Sequence, residues 1–203
     1  MRDRRWVAEK PAYMTGVNGK TPERRVSEPT LITPESFDHW LSLRAEDLTS
    51  TDTPALFGLS PYKTEFELYH AKRGAFTLDD GENERMVAGR HLEPGIASWA
   101  AETYGFEMTP FKSYGRHPDH APDFRVGSSF DYRITGVDRE RVADFLPDGA
   151  SLDGDGIGEI KNVGIDAWNT HWGRDGDRIT PPIWIVIQCQ HQLAVSGLDW
   201  GFV

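Results

Sequence analysis

The triplet Glu159-Ile160-Lys161 and the upstream Asp131 are the residues of this chain whose types and spacing can do chemistry. The sequence around the triplet reads as a short strand. Side chains alternate faces along a strand, so Glu159 and Lys161 are expected to point the same way and Ile160 into the core. Asp131 lies in a second strand-like segment. Two carboxylates and an ammonium on adjacent strands can bind Mg²⁺ and prepare a water for attack on a phosphodiester. Acidic-x-basic triplets also arise by chance on solvated strands, so the surrounding elements must decide.

Several helices are predicted from caps and stop residues. Thr33-Pro34-Glu35 predicts an N-cap with proline at the first helical position, opening a helix that runs to Arg44. A capping box at residues 64–67 predicts a helix that Gly74 ends. A longer helix is predicted over residues 82–104, with a break or kink near Leu92 caused by Pro94.

Strands are predicted over residues 106–111, 124–129, 130–137 and 157–163, followed by a loop over residues 165–177. Thr180-Pro181-Pro182 opens a further helix that closes at Gly197, and residues 198–203 form a last strand. Helices, a strand meander, a helix and a strand in this order predict an α/β fold with a mixed central sheet.

Length and composition favour one domain with an arm. The chain has 203 residues, of which 38% are hydrophobic, which is enough for a real core. Residues 1–32 are polar and predict an extended arm, and residues 33–203 predict the folded domain. There is neither an 18-residue apolar run nor a secretory signal, so a cytoplasmic location without membrane contact is expected. Cys189 is the single cysteine, which excludes an intramolecular disulfide and cysteine-built zinc or iron–sulfur sites.

The charge balance argues against one class of function. The formal net charge is −10, whereas a broad, nonspecific nucleic-acid surface is normally basic. A local basic groove, or carboxylates gathered around metals, remains compatible with this charge. Part of the acidic excess lies between Asp138 and Asp155, which reads as a solvated loop.

Six segments, in this order, resemble the YqaJ-type viral recombinase nucleases of the PD-(D/E)XK superfamily, the group that includes phage lambda exonuclease. The resemblance runs from about Arg44 to Val203 and implies a restriction-endonuclease-like core, with a mixed central β-sheet flanked by helices. The segments are Leu48-Thr49-Ser50-Thr51-Asp52, Gly58-Leu59-Ser60-Pro61-Tyr62-Lys63-Thr64, Gly89-Arg90-His91-Leu92-Glu93-Pro94, Ser129-Phe130-Asp131, Gly158-Glu159-Ile160-Lys161 and Gln188-Cys189-Gln190-His191-Gln192-Leu193.

The resemblance implies a metal site. Asp131 and Glu159 would bind Mg²⁺, for which Mn²⁺ would substitute, and the backbone carbonyl of Ile160 would complete the protein ligands. Lys161 would orient the attacking water and offset charge developing on the phosphate. Glu93, on the preceding helix, would support a metal or its water; as a lone residue it also reads as an exposed helix carboxylate.

The resemblance also implies contacts to the substrate. Gln188 would contact the metal-bound water or the scissile phosphate, although the glutamines of its helix also read as the polar face of a half-buried helix. Arg44, Thr51 and Ser129 would bind a terminal 5′ phosphate, since arginine and hydroxyl groups supply several donors. Arg44 alone also fits a surface position at a helix C-terminus.

The implied activity is hydrolysis of linear double-stranded DNA from a free 5′ end, with a single-strand annealing protein as partner and a homotrimer as assembly. Two departures keep other activities open. The family's Ser-Pro-Asp-Gly reads Ser129-Phe130-Asp131-Tyr132 here, and the chain ends before the family's last elements, which puts the trimer in doubt. An endonuclease of the same fold, or a non-catalytic DNA-binding or regulatory protein, are the alternatives.

Two other residue sets permit a second interpretation. His117 and His120 form His-x-x-His, which suits zinc but also an ordinary polar loop. Trp168 and Trp172 can stack on bases or belong to the core, and Trp184, on an apolar helix, is predicted to be core.

Overall fold

A computed structural model describes residues 7–9, 28–75, 84–146, 150–175 and 178–203. Its helices are α1 Phe37–Glu46, α2 Thr53–Leu56, α3 Glu65–Lys72, α4 Glu84–Tyr104, α5 Arg139–Val142, α6 Ile165–His171 and α7 Ile183–Ser196. Its strands are β1 Val7–Glu9, β2 Thr30–Ile32, β3 Phe106–Pro110, β4 Tyr114–Arg116, β5 Gly127–Ser128, β6 Tyr132–Val137, β7 Gly156–Gly158, β8 Gly173–Asp175, β9 Arg178–Thr180 and β10 Trp200–Phe202.

The central sheet has five strands in the order β1-β10-β7-β6-β3. The β10–β7 pair is parallel and the other three pairs are antiparallel, so the sheet is mixed, as predicted. Strands β2, β4 and β5 form a smaller antiparallel sheet, and β8 and β9 form a hairpin.

Two apolar clusters join this sheet to its helices. In one, Ala100 and Tyr104 of α4 pack with strand residues such as Ile134. In the other, Leu193 of α7 packs with Ile157 of β7. Alternation along the strands divides their side chains between the two clusters. The result is an α/β protein with a mixed sheet flanked by helices, consistent with a restriction-endonuclease-like core.

The helix ends with local chemical signals lie where they were predicted. Thr64 and Glu67 form the capping box of α3. Gly74 and Gly197 follow α3 and α7 with φ of 69° and 73°, a left-handed conformation that glycine adopts without a steric penalty.

The predicted start of α1 is wrong, and of the two alternatives predicted at Pro94 the break is not formed. The start of α1 is capped by Ser36, whose side chain accepts the His39 N–H, rather than by Thr33. Helix α4 continues through Pro94 without a break. Pro94 has no N–H to donate within the helix, and it is exposed, so the helix tolerates the proline at this position.

The segments predicted as loops contain further structure. Residues 165–177 hold α6 and β8; a ring stack between Trp168 and Trp172 supports the helix despite its weak intrinsic propensity. The acidic segment from Asp138 to Asp155 contains α5 and a 3₁₀ turn. Its Val142 and Leu152 are buried in the first cluster, so this segment is not wholly a solvated loop.

Parts of the predicted arm are paired with the rest of the domain. Strand β1 pairs with β10 and β2 pairs with β4, while residues 1–6 and 10–27 lie outside the described residues. No described helix is long and apolar enough to cross a membrane.

Candidate active site

The register of β6 and β7 brings the two predicted metal carboxylates together. Tyr132 of β6 lies opposite Gly158 of β7 in an antiparallel pair. One step further in the same register, Asp131 lies opposite Glu159. The Ile160 N–H donates a hydrogen bond of 2.8 Å to Asp131 Oδ2, so β7 ends here and the predicted strand over residues 159–163 is not formed.

The Glu159 carboxylate is the centre of a hydrogen-bond network. The side chain is 4% exposed. Its Oε1 accepts hydrogen bonds from Lys161 Nζ and Gln188 Nε2, and its Oε2 accepts one of 2.8 Å from Gln192 Nε2. A carboxylate offers about four acceptor positions, so three are used and one on Oε2 is left.

Three carboxylates share the electrostatic field around this network. Burial, and then the Glu159 charge, raise the pKa of Asp131 to about 8. Burial and the same charge also raise the pKa of Glu93. Burial alone would lower the pKa of Lys161, but the charge and hydrogen bond of Glu159 and the charge of Asp131 raise it overall. A single ammonium therefore faces three acidic groups.

The donor set fits a hard divalent cation. Mg²⁺ takes one or two carboxylates and keeps several waters. Asp131 Oδ1 accepts no hydrogen bond from the described residues, and one acceptor position of Glu159 is left. A cation would also relieve the repulsion that raises the pKa of Asp131. Within the described ranges, no three His, Cys, Asp or Glu side chains are placed to hold a metal ion.

The Ile160 side chain does not point into the core, although the alternation of side chains along a strand predicted that it would. Its side chain is half-buried and lines a cavity beside the site instead of joining either apolar cluster. Glu159 and Lys161 do face each other, as their hydrogen bond shows.

Helix α7 supplies two glutamines to the network, and only Gln188 was singled out from the sequence. Gln188 and Gln192, one helical turn apart, are both buried, and both donate to Glu159. Gln192 Nε2 also donates to the Ser129 carbonyl; these two acceptors set the orientation of its amide, whose Oε1 has no partner among the described residues. The i, i+4 spacing of Gln192 from Gln188 places both on one face of the helix, and this is the sequence signal by which Gln192 could have been found.

The three predicted phosphate contacts form one surface cluster. Arg44 donates a hydrogen bond of 3.1 Å to Thr51 Oγ1. The Arg44 guanidinium lies 4.6 Å from the ring centroid of Trp40, whose Nε1 donates to Ser129 Oγ at 2.8 Å. Trp40 thus connects Arg44 to Ser129, and sequence reasoning did not identify it. Gln192 joins the Ser129 backbone to Glu159, so the two groups of predicted residues are contiguous.

A buried aspartate fixes the loop that carries Thr51. Asp52 is 4% exposed and pairs with Lys63 and Lys72, both at 2.7 Å. Lys72 also donates to the carbonyls of Arg44 and Asp47 at the end of α1. Burial would raise the pKa of Asp52, but the two lysines hold it far below its usual range.

Replacing Asp52 with asparagine is expected to lower the free energy of unfolding by about 3–5 kcal/mol at pH 7, because the change leaves two lysines without their anion. Since the pKa of Asp52 is lower in the folded state, its stabilisation is complete above about pH 4 and is lost as the pH falls below that value. Urea denaturation at pH 7 and pH 3 should show a difference between native protein and variant that shrinks in acid. Asp153→Asn, in the exposed pair with Arg139, is the control and should change little; equal losses would contradict the prediction.

The structure gives partners to the two histidines of the possible zinc site and to one of the tryptophans. His120 bonds to the buried Asp47, and His117 accepts the Asp119 N–H, so both histidines have protein partners. Trp184 packs against the second apolar cluster, as predicted.

The fold and the paired carboxylates define this chain as a restriction-endonuclease-like α/β protein. It belongs to the YqaJ-like viral recombinase domain family, whose model matches residues 39–199. It is similar to "Uncharacterized protein YqaJ" of Bacillus subtilis (strain 168), with 26% identity over 165 residues, which cover 81% of this chain and 44% of that protein. The chain thus spans less than half the length of this relative. No solved structure gives a significant match.

Proposed function

We propose that this protein is a metal-dependent deoxyribonuclease that degrades linear double-stranded DNA from a 5′ end during phage-type recombination. The family supports a nuclease of recombination. The observation that carries the proposal is the position of Asp131 opposite Glu159, with Lys161 hydrogen-bonded to the latter.

In the proposed reaction, Asp131, Glu159 and the Ile160 carbonyl would hold Mg²⁺. When bound there, the ion would supply Lewis-acid polarisation of the phosphate and a lowered pKa of a coordinated water. Lys161 orients the attacking water and stabilises negative charge on the phosphate. Gln188 and Gln192 hold the Glu159 carboxylate in place through their hydrogen bonds.

The recognition of a 5′ end is assigned to the surface cluster of Arg44, Thr51 and Ser129. A guanidinium and two hydroxyls present charged and neutral donors to a phosphate dianion. In this scheme Glu93, whose pKa is raised by burial and then by the Glu159 charge, would support a water of the metal. A single-strand annealing protein as partner and a homotrimeric assembly are further parts of the proposal.

Lys161→Ala is expected to lower the rate of hydrolysis on the order of 10²- to 10³-fold. The hydrogen bonds from Gln188 and Gln192 to Glu159 remain in this variant, and urea denaturation checks that it is folded under the assay conditions. The assay uses linear duplex DNA with 5′ phosphates and Mg²⁺ or Mn²⁺. Arg139→Ala, which removes an exposed charge outside the site, is the matched control. No digestion by the native protein, or equal digestion by native protein and Lys161→Ala, would overturn the catalytic proposal.

A circular plasmid in the same assay separates the two cutting modes, since an exonuclease that requires an end leaves it intact and an endonuclease linearises it. The non-catalytic alternative has its own support, because three acceptor positions of Glu159 are filled within the protein. Calorimetric titration with Mn²⁺ tests this alternative. If the native protein binds Mn²⁺ and Asp131→Ala does not, the metal site is supported.

A further inference from the structure

A cavity of about 350 Å³ lies beside the candidate active site, between α4 and α6. Glu159 and Lys161 form part of its wall. Any ligand that fills the cavity therefore touches the residues to which the proposed function assigns the chemistry.

The walls of this cavity are mostly apolar and aromatic. Trp168 and Trp172 lie on one side as a stacked pair, with 5.2 Å between ring centroids and 22° between ring planes. Trp99, also in the wall, is 57% exposed, so the aromatic surface reaches solvent. The charged and amide groups in the wall are confined to Glu159, Lys161 and Asn162.

This division of surface suits a nucleotide whose base enters the cavity and whose phosphate remains at the polar end. A nucleobase is flat and stacks on indole rings whatever its sequence. Because Lys161 is paired with Glu159, the cavity's described wall residues include no uncompensated cation. A phosphate inside the cavity would therefore have no positive charge to stabilise it. Phosphate charge is better placed outside, where a metal at Asp131 and the guanidinium of Arg44 would meet it.

We propose that the cavity binds one unstacked nucleobase of the DNA strand whose backbone lies at Asp131 and Glu159. The inference rests on the proposed function and adds that the strand to be cut must be locally unpaired, because a base inside a duplex cannot enter a pocket. Trp168 is the stacking residue.

The test measures binding in EDTA, so that hydrolysis plays no part. The probes are two fluorescent single strands of equal length and charge, pentathymidylate and the corresponding strand of abasic tetrahydrofuran nucleotides. The native protein is expected to bind the thymidylate strand about fivefold or more tightly. Trp168→Leu should remove this preference and leave the affinity for the abasic strand unchanged.

Further variants keep the result interpretable. Val163→Trp, which fills the cavity from its half-buried wall, should remove the preference by a different route. Trp168→Phe should retain most of it. Phe66→Leu, which trims an exposed aromatic ring on α3, should behave as the native protein.

Equal binding of the two strands by the native protein, or a preference that survives both Trp168→Leu and Val163→Trp, overturns the proposal. Equal binding is also the result expected if the cavity instead receives an apolar side chain of a partner protein. A base preference without any DNA hydrolysis would refute the proposed function and support the base site. DNA hydrolysis without a base preference would support the proposed function and refute the base site.

Discussion

Glu159→Gln is expected to abolish DNA hydrolysis and to lower the free energy of unfolding by about 3–5 kcal/mol at pH 7. The amide is isosteric with the carboxylate, but it removes the anion that pairs with Lys161. Removing one partner of a buried ion pair lowers the free energy of unfolding because the other charge is left uncompensated. It also places an NH₂ group against donors from Gln188 and Gln192, so at least one buried donor loses its acceptor.

The measurements are nuclease assays on linear DNA and urea denaturation in EDTA. Glu107→Gln on β3, away from the network, is the control for an exposed glutamate. If Glu159→Gln were as stable as the native protein, the network described around Glu159 would be wrong, whatever its effect on activity.

Asp131→Asn, the same kind of change at the residue that directly precedes β6, is expected to have the opposite effect on stability. In the metal-free protein, burial and the Glu159 charge raise the pKa of Asp131 to about 8. Folding at pH 7 therefore requires this carboxyl group to take up a proton, and asparagine removes that cost. We expect a gain of about 1–3 kcal/mol in EDTA, below what the full pKa difference implies because Asp131 is only half-buried.

The pH dependence of this effect has a definite sign. Between about pH 4 and pH 8 the folded native protein holds one more proton at Asp131 than the unfolded chain, so its free energy of unfolding falls as the pH rises. The Asn variant lacks this slope, and its advantage should grow across the same interval. Denaturation series at pH 5, 6, 7 and 8 measure it, with exposed Asp119→Asn as the control.

Mn²⁺ should reverse the order of the two proteins. A cation that binds only the folded state stabilises the protein that binds it, and Asp131→Asn lacks a proposed ligand. Asp131→Asn is thus expected to be more stable than the native protein in EDTA, less stable in saturating Mn²⁺, and inactive as a nuclease. A variant that Mn²⁺ stabilises as much as the native protein would contradict the assignment of Asp131 to the metal.

Local signals predicted the ends of several helices. The capping box of Thr64 and Glu67, the stop at Gly74, and the span of α7 from Pro182 to Gly197 each depend on residues within a few positions of one another. The start of α1 and helix α6 were missed. Ser36 and Thr33 are both good capping residues. Helix α6 gains support from His171 against Trp184 and from Trp172 against the second apolar cluster, contacts that its own sequence does not specify.

Long-range contacts explain what sequence reasoning missed in the site. Gln192 meets Glu159 across 33 positions, and Trp40 meets Ser129 across 89. Glutamine and tryptophan are common in ordinary helices, so neither residue type marks a site by itself. Only the positions of α7 and α1 in the tertiary structure give them these partners.

The sequence by itself determined which groups are available: Asp131, Glu159 and Lys161 in this order, on chain segments that meet in a mixed sheet. The tertiary structure decided how they face one another. The pairing of Tyr132 with Gly158 puts Asp131 opposite Glu159, and a slip of one residue would turn one of the carboxylates to the other face of the sheet. That register depends on how the whole sheet and its two apolar clusters pack, which no short segment encodes.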